Sequence, residues 1–509
     1  MFDLILILTA AIYLAVVVML FVYGLNFFYL TWLAVRHRDE SGAPPALTHL
    51  PRVTVQLPLY NELYVAERLI DAAARIDYPA ARLEIQVLDD STDETADMVG
   101  AIVERLRAKG IAIEQLRRAD RTGFKAGALA NGLMHARGEF IAIFDADFIP
   151  PRDFLRRTLP YFADPRVAFV QTRWGHVNRD YSLLTSLQSL IVDAHFMIEQ
   201  FARASTGYWF NFSGTAGIWR RAAIEDAGGW QAHTLTEDLD LSYRAFLRGW
   251  QARYDRQIEV PAELPVTLNA YRRQQHRWAR GSLECALGYV PAVWKTQATR
   301  SRKIQATIHL TGYGIHILMF ILALSFPALI LLPQHFSGID TLFNLALVFN
   351  LTTFAPLLLT VAAQRQLKRH WGEILPGALV LTLLGAGMIL NTVRGALQIV
   401  LRQNDVFERT PKFGIANKRD GWTRRRYQLH LDSIVFFEFA FALYNLATAI
   451  FALLEHDWGI AFYAAIFCLG LLFTSGLTIV QAFEVNAQNR RPRHSAEHIR
   501  LRRHRAKLV

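Results

Sequence analysis

The sequence predicts a mostly parallel α/β domain inserted between membrane-spanning helices, and three observations predict it. Apolar runs of about twenty residues or more recur toward both ends of the chain. Between them lies a polar block in which short β-branched runs alternate with helical stretches. Acidic motifs then fall where the strands of that block should end.

Of the 509 residues, 52% are hydrophobic and only 19% charged, with a net charge of +11. Gathered into long runs, that hydrophobic share points to a membrane protein rather than a large soluble core. A hydrocarbon core about 30 Å thick takes roughly 20 apolar residues as a helix. Residues 4–33, 307–333, 341–363, 432–454 and 459–483 meet this requirement. The first run is too long for a secretory core and lacks a basic leader and a small-residue cleavage site, so it is read as retained. Cys285 and Cys468, far apart in sequence, make no disulfide framework or metal cluster and are read as packing residues. Lys and Arg concentrate beside the apolar runs, at 36–38, 300–303, 365–370, 418–426 and 490–507. Charge placed there answers to anionic headgroups, so the lipid bilayer is the expected partner and nucleic acid is not.

Positive charge favours the cytoplasmic side of a membrane, and the cluster at 36–38 follows the first apolar run. The N-terminus is therefore expected outside and the polar block, 46–305, in the cytoplasm. The run 375–401 is the difficult one. Arg394 and Gln398 interrupt it, and the basic stretch 402–430 would end outside if it crossed. It is expected instead to lie along the cytoplasmic face, a sixth span with a tolerated charge violation being the alternative. The organisation expected begins with a span within 1–35, followed by the block 46–305 with an interfacial helix near 270–300. A hairpin at 307–363, an interfacial helix and loop at 374–430, a second hairpin at 432–483 and a basic tail at 484–509 complete it.

Within the block, strands are predicted at Val53–Leu57, Glu84–Leu88, Ile111–Leu116 and Phe140–Phe144, with helices at Leu63–Ala74 and Glu94–Ala108. Ligands of such sheets sit outside the carboxyl ends of the strands. Tyr60 and Glu62 follow the first strand, Asp89 and Asp90 the second, and Asp145-Ala146-Asp147 the one at Phe140. Two carboxylates one residue apart on a strand end suit Mg²⁺ or Mn²⁺ shared with diphosphate oxygens, although such pairs also occur in surface turns. One carboxylate of Asp89-Asp90 is placed to meet a base or ribose and the other to support the metal. The same segment, continuing into Ser91 and Thr92, would also start a helix well. Lys125, in Thr122-Gly123-Phe124-Lys125-Ala126-Gly127, offers a cation to a base carbonyl or phosphate.

Thr236-Glu237-Asp238 precedes a helix predicted at Leu239–Phe246. A carboxylate there can take the proton of an attacking sugar hydroxyl, or simply begin the helix. Gly214-Thr215-Ala216-Gly217 permits close backbone approach or tight packing. Gln274-Gln275-His276-Arg277-Trp278 sets an amide, a guanidinium and an indole on one helical stretch. The indole can stack on a sugar and the guanidinium fork can hold diphosphate. Arg272, Arg273 and Arg280 equally suit a helix lying on headgroups. His195 and Glu199, one turn apart, look like half a zinc site with no second half, and are read as packing.

In this order, Asp-Asp, Asp-x-Asp, Thr-Glu-Asp and Gln-x-x-Arg-Trp resemble the processive, inverting glycosyltransferases of family 2, the cellulose synthase superfamily. Gln171-Thr172-Arg173-Trp174, Phe212-Ser213-Gly214-Thr215-Ala216-Gly217 and Ala227-Gly228-Gly229-Trp230 look closest to the cellulose synthase-like glucomannan and glucan synthases of plants. The resemblance runs strongly from about 50 to 285 and more weakly to about 415. It implies a Rossmann-like GT-A domain using a UDP- or GDP-hexose with Mg²⁺ or Mn²⁺. Carried over, it implies that Glu62, Asp90 and Lys125, with Tyr60 and Asp89 beside them, bind the nucleotide. Asp145 and Asp147 would take diphosphate and metal, and Asp238 would be the base, next to Glu237. Trp278 would line the acceptor site, with Gln274 and Arg277 contacting acceptor or diphosphate. A gating loop of the Phe-x-Val-Thr-x-Lys type is also implied. Here Phe407-Glu408-Arg409-Thr410-Pro411-Lys412 stands in its place, with Arg409 for the family's Val. An appended cyclic-dinucleotide-sensing domain is not expected in the short tail at 484–509.

The expected chemistry is a single displacement at the donor's anomeric carbon, with inversion to a β-linkage and passage of the polymer through the membrane. A non-processive transferase adding one sugar to ceramide or diacylglycerol shares Gln-x-x-Arg-Trp and is the alternative. A transporter that only binds nucleotide would have no use for Asp238. The partners expected are a nucleotide sugar, for which UDP-glucose and GDP-mannose both fit, a glycan or lipid acceptor, and the bilayer of a bacterial inner or plasma membrane.

Overall fold

The computed structural model describes residues 1–37, 49–336, 347–403, 408–428 and 431–490. The start of the polar block at 46–48, Phe407 of the loop and the tail from 491 onward lie outside the described residues. Seven strands form one sheet in the order β3-β2-β1-β4-β6-β5-β7. They are β1 (Val53–Leu59), β2 (Leu83–Asp89), β3 (Ile113–Leu116), β4 (Phe140–Ile143), β5 (Val167–His176), β6 (Gly217–Arg220) and β7 (Gln251–Ala262). β6 runs antiparallel to β4 and β5, while the other pairings are parallel. The mostly parallel sheet predicted from the strand–helix alternation is the one found.

Parallel strands are covered on both faces, and β1 shows why its sequence is nearly continuously apolar. Val53, Val55 and Leu57 are fully buried, as are Thr54 and Gln56 on the opposite face. One apolar layer gathers Val55, Val87, Val99 and Phe154, and a second gathers Leu129, Phe169, Trp219 and Phe246. The chain moves outward from β1 through β2 to β3, then returns to β4 on the other edge of β1. A crevice opens at such a reversal, outside the carboxyl ends of the strands. Glu62 issues from one side of it and Asp145 and Asp147 from the other.

The helix Leu268–Lys295 leads from this domain toward the apolar helices. Near its start, Arg272 pairs with Glu438 at 2.5 Å, both side chains being fully buried. Arg272 also donates to Thr478 Oγ1 at 2.6 Å, and Asn391 donates to the Arg272 carbonyl at 3.1 Å. One residue thus fastens the domain to three apolar helices.

Among the described residues, five helices are long and apolar enough to cross a membrane: Phe2–Arg36, Gly314–His335, Ile374–Val400, Ile434–Leu454 and Trp458–Ala487. Four match expected spans and one does not. The stretch expected to span at 341–363 is described from Leu347 onward, as a 3₁₀ segment Leu347–Phe354 and a separate helix Ala355–Gln366. Conversely, Ile374–Val400, expected to lie flat, has the length and composition of a span. The two polar residues that interrupt it each have a partner in the protein. Arg394 pairs with Asp432 at 3.0 Å, and Gln398 Oε1 lies 2.8 Å from His276 Nε2.

Candidate active site

A cleft of about 1460 Å³, open to solvent, lies at the switch between β1 and β4. Every residue predicted for the site lines it except Asp89. Successive strand residues point to opposite sides, and this alternation separates the two neighbouring aspartates. Asp89, the last residue of β2, turns inward. Its Oδ1 accepts from the Ser91 amide at 2.9 Å and its Oδ2 from Gln115 Nε2 at 2.7 Å. It is fully buried and shapes the turn after β2, standing behind the cleft wall and not in its lining. Asp90 faces the cleft, both its oxygens held by the Arg118 fork at 3.0 and 2.5 Å. Arg121 lies over the Tyr60 ring, 3.4 Å from its centroid. Neither arginine stands out in the sequence. Both follow β3, and the rule that ligands gather at strand carboxyl ends pointed to them.

At the heart of the cleft, Lys125 Nζ lies 2.7 Å from Asp145 Oδ1 and 3.5 Å from Glu237 Oε1. It also donates to the Gly214 carbonyl at 2.9 Å. Gly214 has φ of +77°, and a Cβ there would stand 3.1 Å from Asp238 Oδ2 and 3.3 Å from Lys125 Nζ. Glycine therefore admits both the backbone conformation and the close approach. The Asp145 amide donates to Thr215 Oγ1 at 2.8 Å, which fixes the end of β4. The helix that presents the base candidate runs Glu237–Leu247, as its acidic start predicted.

Burial pushes the Asp238 carboxyl up to about 7, with the Glu237 carboxylate adding and the Lys125 ammonium opposing. Burial acts to lower the Lys125 ammonium, but Asp145 and Glu237 outweigh it and hold it above the ordinary lysine range. Asp145 is raised by burial against the pull of Lys125. A carboxylate with a proton affinity near neutrality is matched to accepting a proton and passing it on.

The loop after Val400 reaches this cleft. Lys412 Nζ pairs with Asp147 Oδ2 at 2.8 Å, and Arg409 pairs with Glu62 at 3.3 Å. Glu263 accepts from the amides of Phe413 and Ile415 at 2.8 and 3.0 Å and so anchors the loop. Burial pushes Glu62 up to about 8, although Arg409 opposes it. Arg409, the departure from the family's Val, thus brings a cation to the cleft.

Asp145 and Asp147 offer oxygen donors only, and each faces an ammonium, Lys125 or Lys412. Two carboxylates are a donor set that Mg²⁺ or Mn²⁺ takes when substrate phosphates complete its shell, so the residues fit such an ion. Among the described residues, no three His, Cys, Asp or Glu side chains converge as a self-sufficient metal site. His195 and Glu199 sit 4.0 Å apart within a π-helical stretch, His195–Gln200, and both cysteines are buried and free.

The sheet order and the acidic strand ends around this crevice define the class, a GT-A glycosyltransferase domain joined to membrane-type helices. Residues 51–281 match the family described as Glycosyltransferase like family 2, and residues 221–375 match Cellulose synthase. Over these stretches the chain is similar to the family 2 glycosyltransferases and to the cellulose synthases. It is 44% identical over 284 residues to the probable glucomannan 4-beta-mannosyltransferase 6 of Oryza sativa subsp. japonica, covering 55% of this chain and 48% of that one. To glucomannan 4-beta-mannosyltransferase 2 of Arabidopsis thaliana it is 48% identical over 250 residues, covering 48% and 46%. The chain spans about half the length of the curated relatives it matches. In fold it is similar to a mannosyltransferase from Pyrobaculum calidifontis, solved with GDP-Man and Mn²⁺, with a TM-score of 0.54. That likeness covers 78% of this chain and 100% of the other at 23% identity. These curated relatives are plant proteins and lend the expected bacterial setting no support.

Proposed function

We propose that this chain transfers a hexose from a nucleotide sugar to a growing β-linked glycan, with GDP-mannose the first donor to test and UDP-glucose the second. The names of the plant relatives and the ligand of the Pyrobaculum structure favour mannose. One observation carries the reading: Asp238, with its proton affinity near neutrality, shares a small cluster with Lys125 and Asp145 in a cleft that Trp278 also lines.

Asp238 takes the proton of an acceptor hydroxyl as that oxygen attacks the anomeric carbon. The nucleoside diphosphate departs from the opposite face, so the configuration inverts. Asp145 and Asp147 would hold a divalent ion, which when bound neutralises charge on the departing diphosphate. Arg277 stands within electrostatic reach of Glu237, Asp145 and Asp238, and so on the side of the diphosphate. Glu62, Asp90 and Tyr60 line the nucleotide's end of the cleft, Gln274 and Trp278 the acceptor's. The charge distribution supports a cytoplasmic catalytic block, an N-terminus outside, and passage of the product between the apolar helices.

The test is incorporation of labelled sugar from GDP-mannose, UDP-glucose, GDP-glucose and UDP-N-acetylglucosamine by the purified protein in liposomes with Mn²⁺ or Mg²⁺, followed by sizing of the product. A long or polydisperse polysaccharide is expected. A single organic-extractable glycolipid overturns the polymer reading, and turnover of none of the donors overturns the transferase reading.

A further inference from the structure

We infer that Trp174, on β5, is the platform of a second acceptor subsite, one sugar removed from the ring that Trp278 meets, so that the acceptor is gripped across two consecutive hexoses. The inference rests on the glycan-acceptor reading above and adds to it a residue and a length preference.

The cleft extends along the helix Leu268–Lys295, where Tyr271, Gln274 and Trp278 all line it. These positions recur at i, i+3 and i+7, one face of the helix. They cover about 10.5 Å of rise at 1.5 Å per residue, longer than one hexose ring. Across from them, Trp174 and His176 line the same space from β5. Two residues apart on a strand, they point to one side of the sheet.

The two indoles stand 6.3 Å apart between centroids, with their planes at 53°. That spacing leaves no room for a sugar between them, so they do not sandwich one ring. They meet as a tilted pair, and each lines the cleft. Trp174 is fixed from behind: Phe196 packs at 5.1 Å with planes at 35°, and Phe148 meets it edge-on at 5.2 Å. Its indole N–H is buried and makes no hydrogen bond among the described residues. The half-buried indole lines the cleft, and an aromatic surface of this kind is one on which a pyranose stacks. His176 Nε2 is held by Asp193 Oδ1 at 3.0 Å, and Asp193 in turn accepts from Gln364 at 2.8 Å and Arg369 at 2.6 Å. So held, with its side chain almost wholly buried, His176 backs the cleft wall beside Trp174.

The test uses the full chain in liposomes with its active donor and Mn²⁺, offering mono-, di- and tetrasaccharide acceptors of the matching sugar. The wild type is expected to show a lower KM for the disaccharide than for the monosaccharide. Trp174→Phe, which keeps a ring against Phe196, retains that preference. Trp174→Leu, which keeps apolar bulk without a ring, raises the disaccharide KM roughly three- to tenfold and leaves the monosaccharide KM in place. Donor affinity, unchanged in both variants, monitors folding. A wild type without the length preference overturns the inference, as does equal behaviour of the Phe and Leu variants. No transfer by the wild type to any acceptor overturns instead the functional reading on which the inference stands.

Discussion

Buried charge is arranged in opposite ways in the cleft and among the apolar helices. Arg272 and Glu438 form a closed pair, one guanidinium against one carboxylate with no solvent access. In the cleft, Lys125 faces Asp145 and Glu237 with Asp238 beside them, while Lys412 and Arg409 arrive on a separate loop to meet Asp147 and Glu62. The closed pair is matched charge for charge. The cleft is not: seven carboxylates line it against five Lys and Arg side chains. A matched pair fixes positions, whereas an unmatched cluster keeps a capacity for a further positive charge or a proton.

The strongest way to break this contrast is Asp238→Asn. Transfer should fall by about 10²–10⁴ while nucleotide affinity holds, because the base is lost and the binding surface is not. Near-normal turnover in that variant would remove Asp238 from the base role. Next is Arg272→Met, which leaves Glu438 buried and alone. A loss of about 3–5 kcal/mol is expected, read as a lower unfolding temperature in detergent. Adding Glu438→Leu should restore most of it, and an unchanged midpoint in the single variant would show that the pair is not what fastens the domain. Asp147→Ala should weaken nucleotide binding in the presence of Mn²⁺ and matter far less without the ion. Equal affinities of the variant and wild type in a Mn²⁺ titration would count against the metal role. The mildest probe is pH. A base must be unprotonated, and Asp238 is pushed up to about 7, so turnover should rise with pH toward about 7 and level off above it. A flat profile between pH 5 and 8 would contradict that placement.

Much of the architecture was legible where a local pattern had a local cause. The predicted strands at Val53–Leu57 and Glu84–Leu88 lie within β1 and β2, and the helix predicted at Glu94–Ala108 is found at Thr95–Arg107. The acidic ends of β1, β2 and β4 were readable for the same reason. What was not legible depends on residues far apart in the chain. Lys412 meets Asp147 across 265 positions, and no spacing announces that. The reading of the run 375–401 met the same limit. Arg394 and Gln398 look like lipid-facing violations until Asp432 and His276, distant in sequence, satisfy them. That Asp90 lines the cleft while Asp89 is buried was not legible either, because adjacent carboxylates look equivalent in a sequence, whereas a strand sends them to opposite sides.

Arg272 and Trp278 stand six positions apart on one continuous 28-residue helix. The ring that lines the cleft is thereby mounted on a rod whose foot is clamped by Glu438, Thr478 and Asn391. The placing of Trp278 in the cleft is thus set by residues of three apolar helices that grip the other end of the rod.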